Sequence, residues 1–76
     1  MPRVHSSGSW AIYVYADDHN PPHFHIVGRG WDVKVAIGSG EIIGKGPMAQ
    51  VSEALEWAVH NQDAVRQAWS TYNERD

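Results

Sequence analysis

The most informative absences in this chain are cysteine, long apolar runs and an excess of basic residues. None of the 76 residues is cysteine, which excludes disulfides, thiol catalysis and cysteine-type zinc sites. No run approaches the roughly 20 apolar residues of a membrane-spanning helix, and the first eight residues lack the apolar core of a signal peptide. Six Lys+Arg stand against nine Asp+Glu, for a net charge of −3. This balance argues against a broad nucleic-acid footprint. We therefore expect a cytoplasmic protein without membrane association.

The length predicts one domain spanning residues 1–76. A domain of this size buries only about 60% of the surface that its unfolded chain exposes, so its core has little margin. Four Trp, three Tyr and one Phe offset this limit, because each aromatic side chain buries a large area.

Hydrophobic alternation predicts a sheet over residues 10–44. Residues 1–8 are small and polar, and we expect a loose lead-in there with His5 solvated. Four strands are predicted, at 10–15, 23–27, about 31–37 and 41–44. In the third of these, Trp31, Val33, Val35 and Ile37 should face the core, with Asp32 and Lys34 towards water. The short glycine-containing turns indicate an antiparallel meander.

A helical segment is predicted over residues 48–73, which contain no glycine or proline. Apolar residues recur there at spacings of three to four. The polar stretch 60–63 favours two helices, about 48–60 and 62–73, with Asn61 as a candidate N-cap of the second. A single long helix is the alternative, since the apolar stripe keeps its phase. The predicted fold class is α+β: a four-stranded antiparallel meander followed by one or two C-terminal helices packed on one face.

The stretch around which the chain is organised runs from Asp17 to His25. It holds three of the five histidines, two aspartates and the Pro21-Pro22 pair. The prolines fix φ near −65° and stiffen the corner. His23 and His25 follow at strand spacing, which places both imidazoles on one face and Phe24 on the other. We expect a site at this corner.

The corner admits several interpretations. His23, His25 and Asp18 could bind a divalent transition metal, and Asp18, His19 and His23 are the candidate catalytic residues of a metal-dependent, nuclease-like hydrolase. Without metal, a His–Asp pair could serve as a general base. The structural alternative is that the histidines bond loop carbonyls and Asp18 caps the turn. No cofactor follows with certainty from these residues, and enzymatic activity remains open.

Surplus aromatic residues indicate an interaction surface. The candidates are Tyr13, Tyr15, Trp31 and Trp57, because four tryptophans exceed the usual needs of so small a core. The same rings could stack on bases, but the few basic residues nearby disfavour nucleic acid.

A family resemblance rests on three motifs. They are Tyr13-x-Tyr15-x-x-Asp18-His19-x-Pro21-Pro22-His23-Phe24-His25, then Gly40-Glu41-Ile42-Ile43, which is followed by Gly44 and Gly46, then Glu56-Trp57-x-x-His60 with a later Trp69. Over residues 10–70 the chain resembles a family of small bacterial proteins of unknown function with a D-H-x-P-P-H-F-H signature. The resemblance implies a toxin–antitoxin-like gene pair and carries over no catalytic residue.

The chain departs from the family pattern at two places. Gly46-Pro47 stands where the family usually has Leu-Pro, and Ala64-Val65-Arg66 stands where its final helix has a Glu-Leu-Leu core. The departures concern the helix packing and not the corner. The leading prediction is a small interaction module that binds a protein partner or forms a homo-oligomer, and the metal-dependent hydrolase is the alternative.

Overall fold

The computed structural model describes residues 3–16 and 21–73. These residues form five strands and two helices, which are β1 Arg3–Ser6, β2 Trp10–Tyr13, β3 His23–Gly28, β4 Trp31–Ala36, β5 Ile42–Ile43, α1 Met48–His60 and α2 Gln62–Asn73. The strands lie in chain order in one sheet, and every neighbouring pair is antiparallel. The predicted α+β class, the antiparallel meander and the two C-terminal helices are confirmed.

The sheet has five strands in the described residues, and the predicted number of four is wrong. The additional strand is β1, formed by residues expected to be a loose lead-in. It pairs with β2 across a short turn in which the Ser7 amide donates to the Trp10 carbonyl at 2.8 Å. Pairing gives β2 a partner on both sides and lets Val4 pack against the core. A four-residue strand with a register shift carries too little alternation to be recognised in the sequence.

The core lies between one face of the sheet and the two helices. Register places Ile26 between Ile12 on β2 and Val33 on β4, and all three are almost fully buried. The helices contribute Ala54, Ala58, Val65 and Trp69 to the same cluster. The helix contacts fall mainly on β1, β2 and β3. As predicted, β4 turns Val33 and Val35 inwards and Asp32 outwards.

Trp31 packs on the helix side of the sheet because two glycines make room for it. A Cβ at Gly28 would lie 2.2 Å from Trp31 Cε2, and a Cβ at Gly46 would lie 2.6 Å from Trp31 Cε3. Since real Cβ atoms do not approach this closely, both positions need glycine for the ring to stay where it is.

The junction of α1 and α2 uses Asn61 differently from the prediction. Its side-chain amide donates to the Trp57 carbonyl at 2.8 Å, which satisfies a carbonyl at the end of α1. Its own backbone carbonyl accepts from the amides of Ala64 and Val65 at the start of α2. Asn61 therefore caps the C-terminus of the first helix with its side chain, and it does not cap the second helix with it.

Neither described helix is long and apolar enough to cross a membrane.

Candidate functional site

The proline corner leads directly into β3 and fixes where that strand begins. Of the predicted site residues, Asp18 and His19 lie outside the described residues. The Pro22 carbonyl accepts from the Ile37 amide at 2.9 Å, which ties the corner to the end of β4. The Pro21 carbonyl lies 2.8 Å from His23 Nδ1. The carbonyls of Pro21 and Pro22 thus hold the His23 ring and the backbone at Ile37 in place.

His23 and His25 come together, as the two-residue spacing predicts. Their ring centroids are 5.2 Å apart in an edge-to-face arrangement. Their environments differ, because His23 is 5% exposed and packs against Trp69 of α2 at 5.2 Å. His25 is half-buried. The ring of His23 therefore contacts the helix layer through Trp69, while the ring of His25 keeps more exposed surface.

Asp32 is a member of the site that the sequence did not indicate. Its Oδ1 lies 3.2 Å from His25 Nδ1. His25 pairs directly with Lys34 on β4, and Asp32 is the diagonal neighbour two residues away. The sequence does indicate that Asp32 faces outwards on its strand. Its position beside His25 follows only from the register of β3 and β4.

Hydrogen bonding gives the two imidazoles the same protonation pattern. A backbone carbonyl and a carboxylate only accept hydrogen bonds, so Nδ1 of His23 and Nδ1 of His25 both donate. In the neutral ring the lone pair then resides on Nε2. Histidines that bind metals commonly have their other nitrogen held in this way, and the same tautomer suits a general base.

The described residues do not contain three His, Cys, Asp or Glu side chains grouped so that they could hold a metal ion. The predicted metal and catalytic sets depend on Asp18 and His19 for further ligands. Those sets remain predictions.

Aromatic rings continue from His25 along one face of the sheet, which carries Tyr13, Tyr15 and His25. No described helix covers these three residues, and we call this surface the helix-free face. Tyr15 meets His25 edge-on at 4.8 Å, and Tyr13 stacks on Tyr15 at 5.8 Å with an interplanar angle of 10°. Both tyrosines are half-buried. The Tyr15 carbonyl accepts from the Asn73 side chain at 2.9 Å, so the end of α2 holds this segment of chain in place.

The other two predicted interaction residues lie elsewhere. Trp31 packs on the helix side of β4 against Gly28 and Gly46. Trp57 of α1 stacks on His5 of β1 with ring centroids 4.2 Å apart. Of the four candidates, Tyr13 and Tyr15 share a surface, and His25, a predicted metal ligand, lies on the same surface.

Comparisons with curated proteins and with solved structures gave no match. A family described as a domain of unknown function (DUF4160) matches residues 9–70, which include the strands β2 to β5, the proline corner, all of α1 and most of α2. The chain belongs to this DUF4160 family of domains of unknown function.

Proposed function

We propose that the domain is a cytoplasmic protein-interaction module that binds its partner through the helix-free face. The observation that carries the proposal is the series of packed rings Tyr13, Tyr15 and His25 on that face. Aromatic side chains are enriched at the centres of protein interfaces. These three rings are half-buried, so each retains surface that a partner can cover.

The packing of the rings favours binding because it reduces the cost of ordering them. Each ring is held by its neighbour, and the Tyr15 backbone is fastened to Asn73. Side chains that are ordered before contact lose little conformational entropy when the partner arrives. Asp32 and Lys34 lie beside His25 with opposite charges, which suits the polar rim of an interface.

The partner is proposed to be another protein or a second copy of the chain, and the net charge of −3 disfavours nucleic acid. The resemblance described above suggests a more specific form of the proposal, a toxin–antitoxin-like pair of neighbouring genes. Co-purification of the neighbouring gene product with this chain would support that form.

The proposal is tested by affinity capture with the immobilised domain from lysate of the source cells. The matched variants are Tyr13→Ala/Tyr15→Ala on the helix-free face and Tyr72→Ala, whose tyrosine is exposed on α2. Loss of an aromatic centre costs an interface about 2 kcal/mol or more. We expect the wild type and Tyr72→Ala to recover one protein in similar amounts and the double variant to recover at least about tenfold less.

Two results of that capture would contradict the proposal. One is equal recovery by all three proteins, provided that circular dichroism shows all of them folded. The other is a wild-type chain that elutes as a monomer in size-exclusion chromatography and captures nothing.

A metal-dependent hydrolase is the second candidate, and the shared tautomer of His23 and His25 favours it. Asp18 and His19 would complete the ligand set or supply the acid and base, with a divalent transition metal activating a water. The burial of His23 is a constraint on this candidate, since substrate would have to approach from the His25 side.

Isothermal titration with Zn²⁺ and Mn²⁺ tests the second candidate. His25→Ala and His23→Ala/His25→Ala should lose micromolar binding, whereas His60→Ala, at the exposed end of α1, should retain it. Equal binding in the wild type and the double variant would place the metal elsewhere and remove these histidines from the mechanism. Nuclease activity that survives in His25→Ala would have the same consequence for catalysis.

A further inference from the structure

The outer edge of β5 is an exposed, apolar edge of the sheet. β5 is the last strand in the sheet order, so among the described residues only its β4 side is paired. Ile42 and Ile43 are 45% and 53% exposed, and all residues from 41 to 45, which we call the edge segment, are exposed. The opposite outer strand, β1, has a register shift of the kind that discourages further pairing. β5 is therefore the edge at which another strand can add.

The backbone of the edge segment directs hydrogen-bonding groups out of the sheet. The Ala36 amide donates to the Glu41 carbonyl at 2.9 Å, and antiparallel alternation makes Ile43 the next residue whose backbone groups face β4. A planar trans peptide points its C=O and its N–H in opposite directions. The N–H and C=O of Ile42 and the N–H of Gly44 therefore point away from β4, where an added strand can bond them.

The side chains of the edge segment are complementary to the same segment running in the opposite direction. Glu41 and Lys45 lie two residues before and two residues after Ile43, and neither forms an ion pair with any described residue. A two-fold axis at Ile43 would bring Glu41 of each copy opposite Lys45 of the other. In this register each Gly44 N–H meets the Ile42 carbonyl of the other copy.

The same register brings the exposed isoleucines together. Ile43 would face Ile43 of the second copy in a non-hydrogen-bonded pair, the arrangement in which facing side chains approach most closely. We propose that the domain forms a symmetric dimer by antiparallel pairing of two edge segments about a two-fold axis at Ile43.

The charge pattern explains why the added strand is a second copy. A lone lysine on an edge strand discourages pairing, but here Glu41 offsets Lys45 when the incoming strand carries the same two charges in reverse order. Each copy contributes one β5 edge, so the pairing closes as a dimer and does not continue into a fibre. So short an interface is weak, with a Kd on the order of 10–100 μM. It does not depend on what the helix-free face binds.

Sedimentation equilibrium of the full chain, from about 5 to 500 μM, tests the proposal. We expect the wild type to dimerise over this range. Glu41→Lys and Lys45→Glu each place like charges opposite one another and should each weaken dimerisation by about tenfold or more. Glu41→Lys/Lys45→Glu exchanges the two charges and should restore it. An equimolar mixture of the two single variants should form a mixed dimer. Glu56→Lys, on the exposed surface of α1, is the control and should dimerise as the wild type does.

Disulfide trapping tests the register separately. The chain contains no cysteine, so a single introduced thiol reports on one position. Facing residues of a non-hydrogen-bonded pair have Cα atoms about 4.5 Å apart, within the range that a disulfide spans. Under mild oxidation Ile43→Cys should form a covalent dimer much faster than Gly38→Cys, at an exposed turn position where a Cβ meets nothing within 4 Å.

Three results, each in variants that circular dichroism shows to be folded, would overturn the proposal. The first is a wild type that stays monomeric over the whole concentration range. The second is a charge-exchanged double variant that dimerises as weakly as the single variants. The third is equal trapping of Ile43→Cys and Gly38→Cys. Capture of a partner through the helix-free face is unaffected by all three, so failure of this pairing is distinguishable from failure of the proposed function.

Discussion

The packing of Trp31 against Gly28 yields a prediction in which the sign of a mutational effect depends on one neighbouring side chain. In Gly28→Ala the new Cβ would lie 2.2–2.3 Å from Trp31 Cε2, Cζ2 and Nε1. Carbon atoms in contact prefer about 3.5–4.0 Å, so the ring must move by more than about 1 Å. Its position against Gly46 restricts that movement.

The cost follows from the size of this displacement. Overpacking of a filled site destabilises by about 1–3 kcal/mol, and each kcal/mol corresponds to about 4–8 °C in Tm for a domain of this length. We therefore expect Gly28→Ala to lower Tm by about 5–20 °C. Gly28 does not have a positive φ, and alanine in place of glycine in a strand otherwise stabilises by about 0.5–1 kcal/mol. In a Trp31→Ala background the same substitution should be neutral or stabilising.

Urea denaturation followed by far-ultraviolet circular dichroism measures all four corners of this cycle. We expect a coupling energy between the two positions of at least about 1 kcal/mol. Gly38→Ala is the control, since a Cβ there meets nothing within 4 Å, and it should stay within about 0.5 kcal/mol of the wild type. An equal cost of Gly28→Ala with and without the tryptophan would refute the packing argument.

Three further predictions concern the core, the added strand and the helix junction. Ile26→Ala removes most of a fully buried side chain in the central strand. It should lower the free energy of unfolding by about 2–5 kcal/mol, measured by urea denaturation. A loss below about 1 kcal/mol would contradict the core assignment. His5→Ala removes the stack on Trp57 and should raise the rate of amide hydrogen exchange across β1 while β3 stays protected. Equal exchange rates across β1 in the wild type and the variant would contradict the role of this stack in holding β1. Asn61→Ala removes the bond to the last turn of α1 and should cost about 0.5–1.5 kcal/mol in thermal unfolding, and a neutral result would exclude its capping role.

Much of the fold was predictable because the hydrophobic periodicity of its strands and helices extends over long segments of the sequence. The alternation around Val33 and the three-to-four spacing after Met48 each extend over enough residues to specify a strand or a helix. The strand Arg3–Ser6 was missed because its stability comes from contacts distant in sequence, namely pairing with β2 and the stack of His5 on Trp57. Tertiary contacts of this kind leave no local pattern.

The candidate site was only partly predictable for a related reason. Spacing placed His23 beside His25, and the structure agrees. Spacing did not show that His23 is buried against Trp69, or that Asp32 reaches His25 from the next strand. Both depend on how α2 and β4 pack around the proline corner. The composition indicates more aromatic residues than the core needs. Only the strand register shows that Tyr13 and Tyr15 share the helix-free face and that Trp31 lies on the helix side of the sheet.

Site-specific photocrosslinking tests the central claim, the docking role of the helix-free face, most directly. Benzoylphenylalanine would replace Tyr13 on that face in one protein and Tyr72 on α2 in another, and each would be irradiated in the source cells. The account predicts a discrete adduct from position 13, of twice the chain mass if the partner is a second copy, and no such adduct from position 72. Adducts from position 72 alone, or the absence of adducts from position 13 in a folded protein, would contradict it.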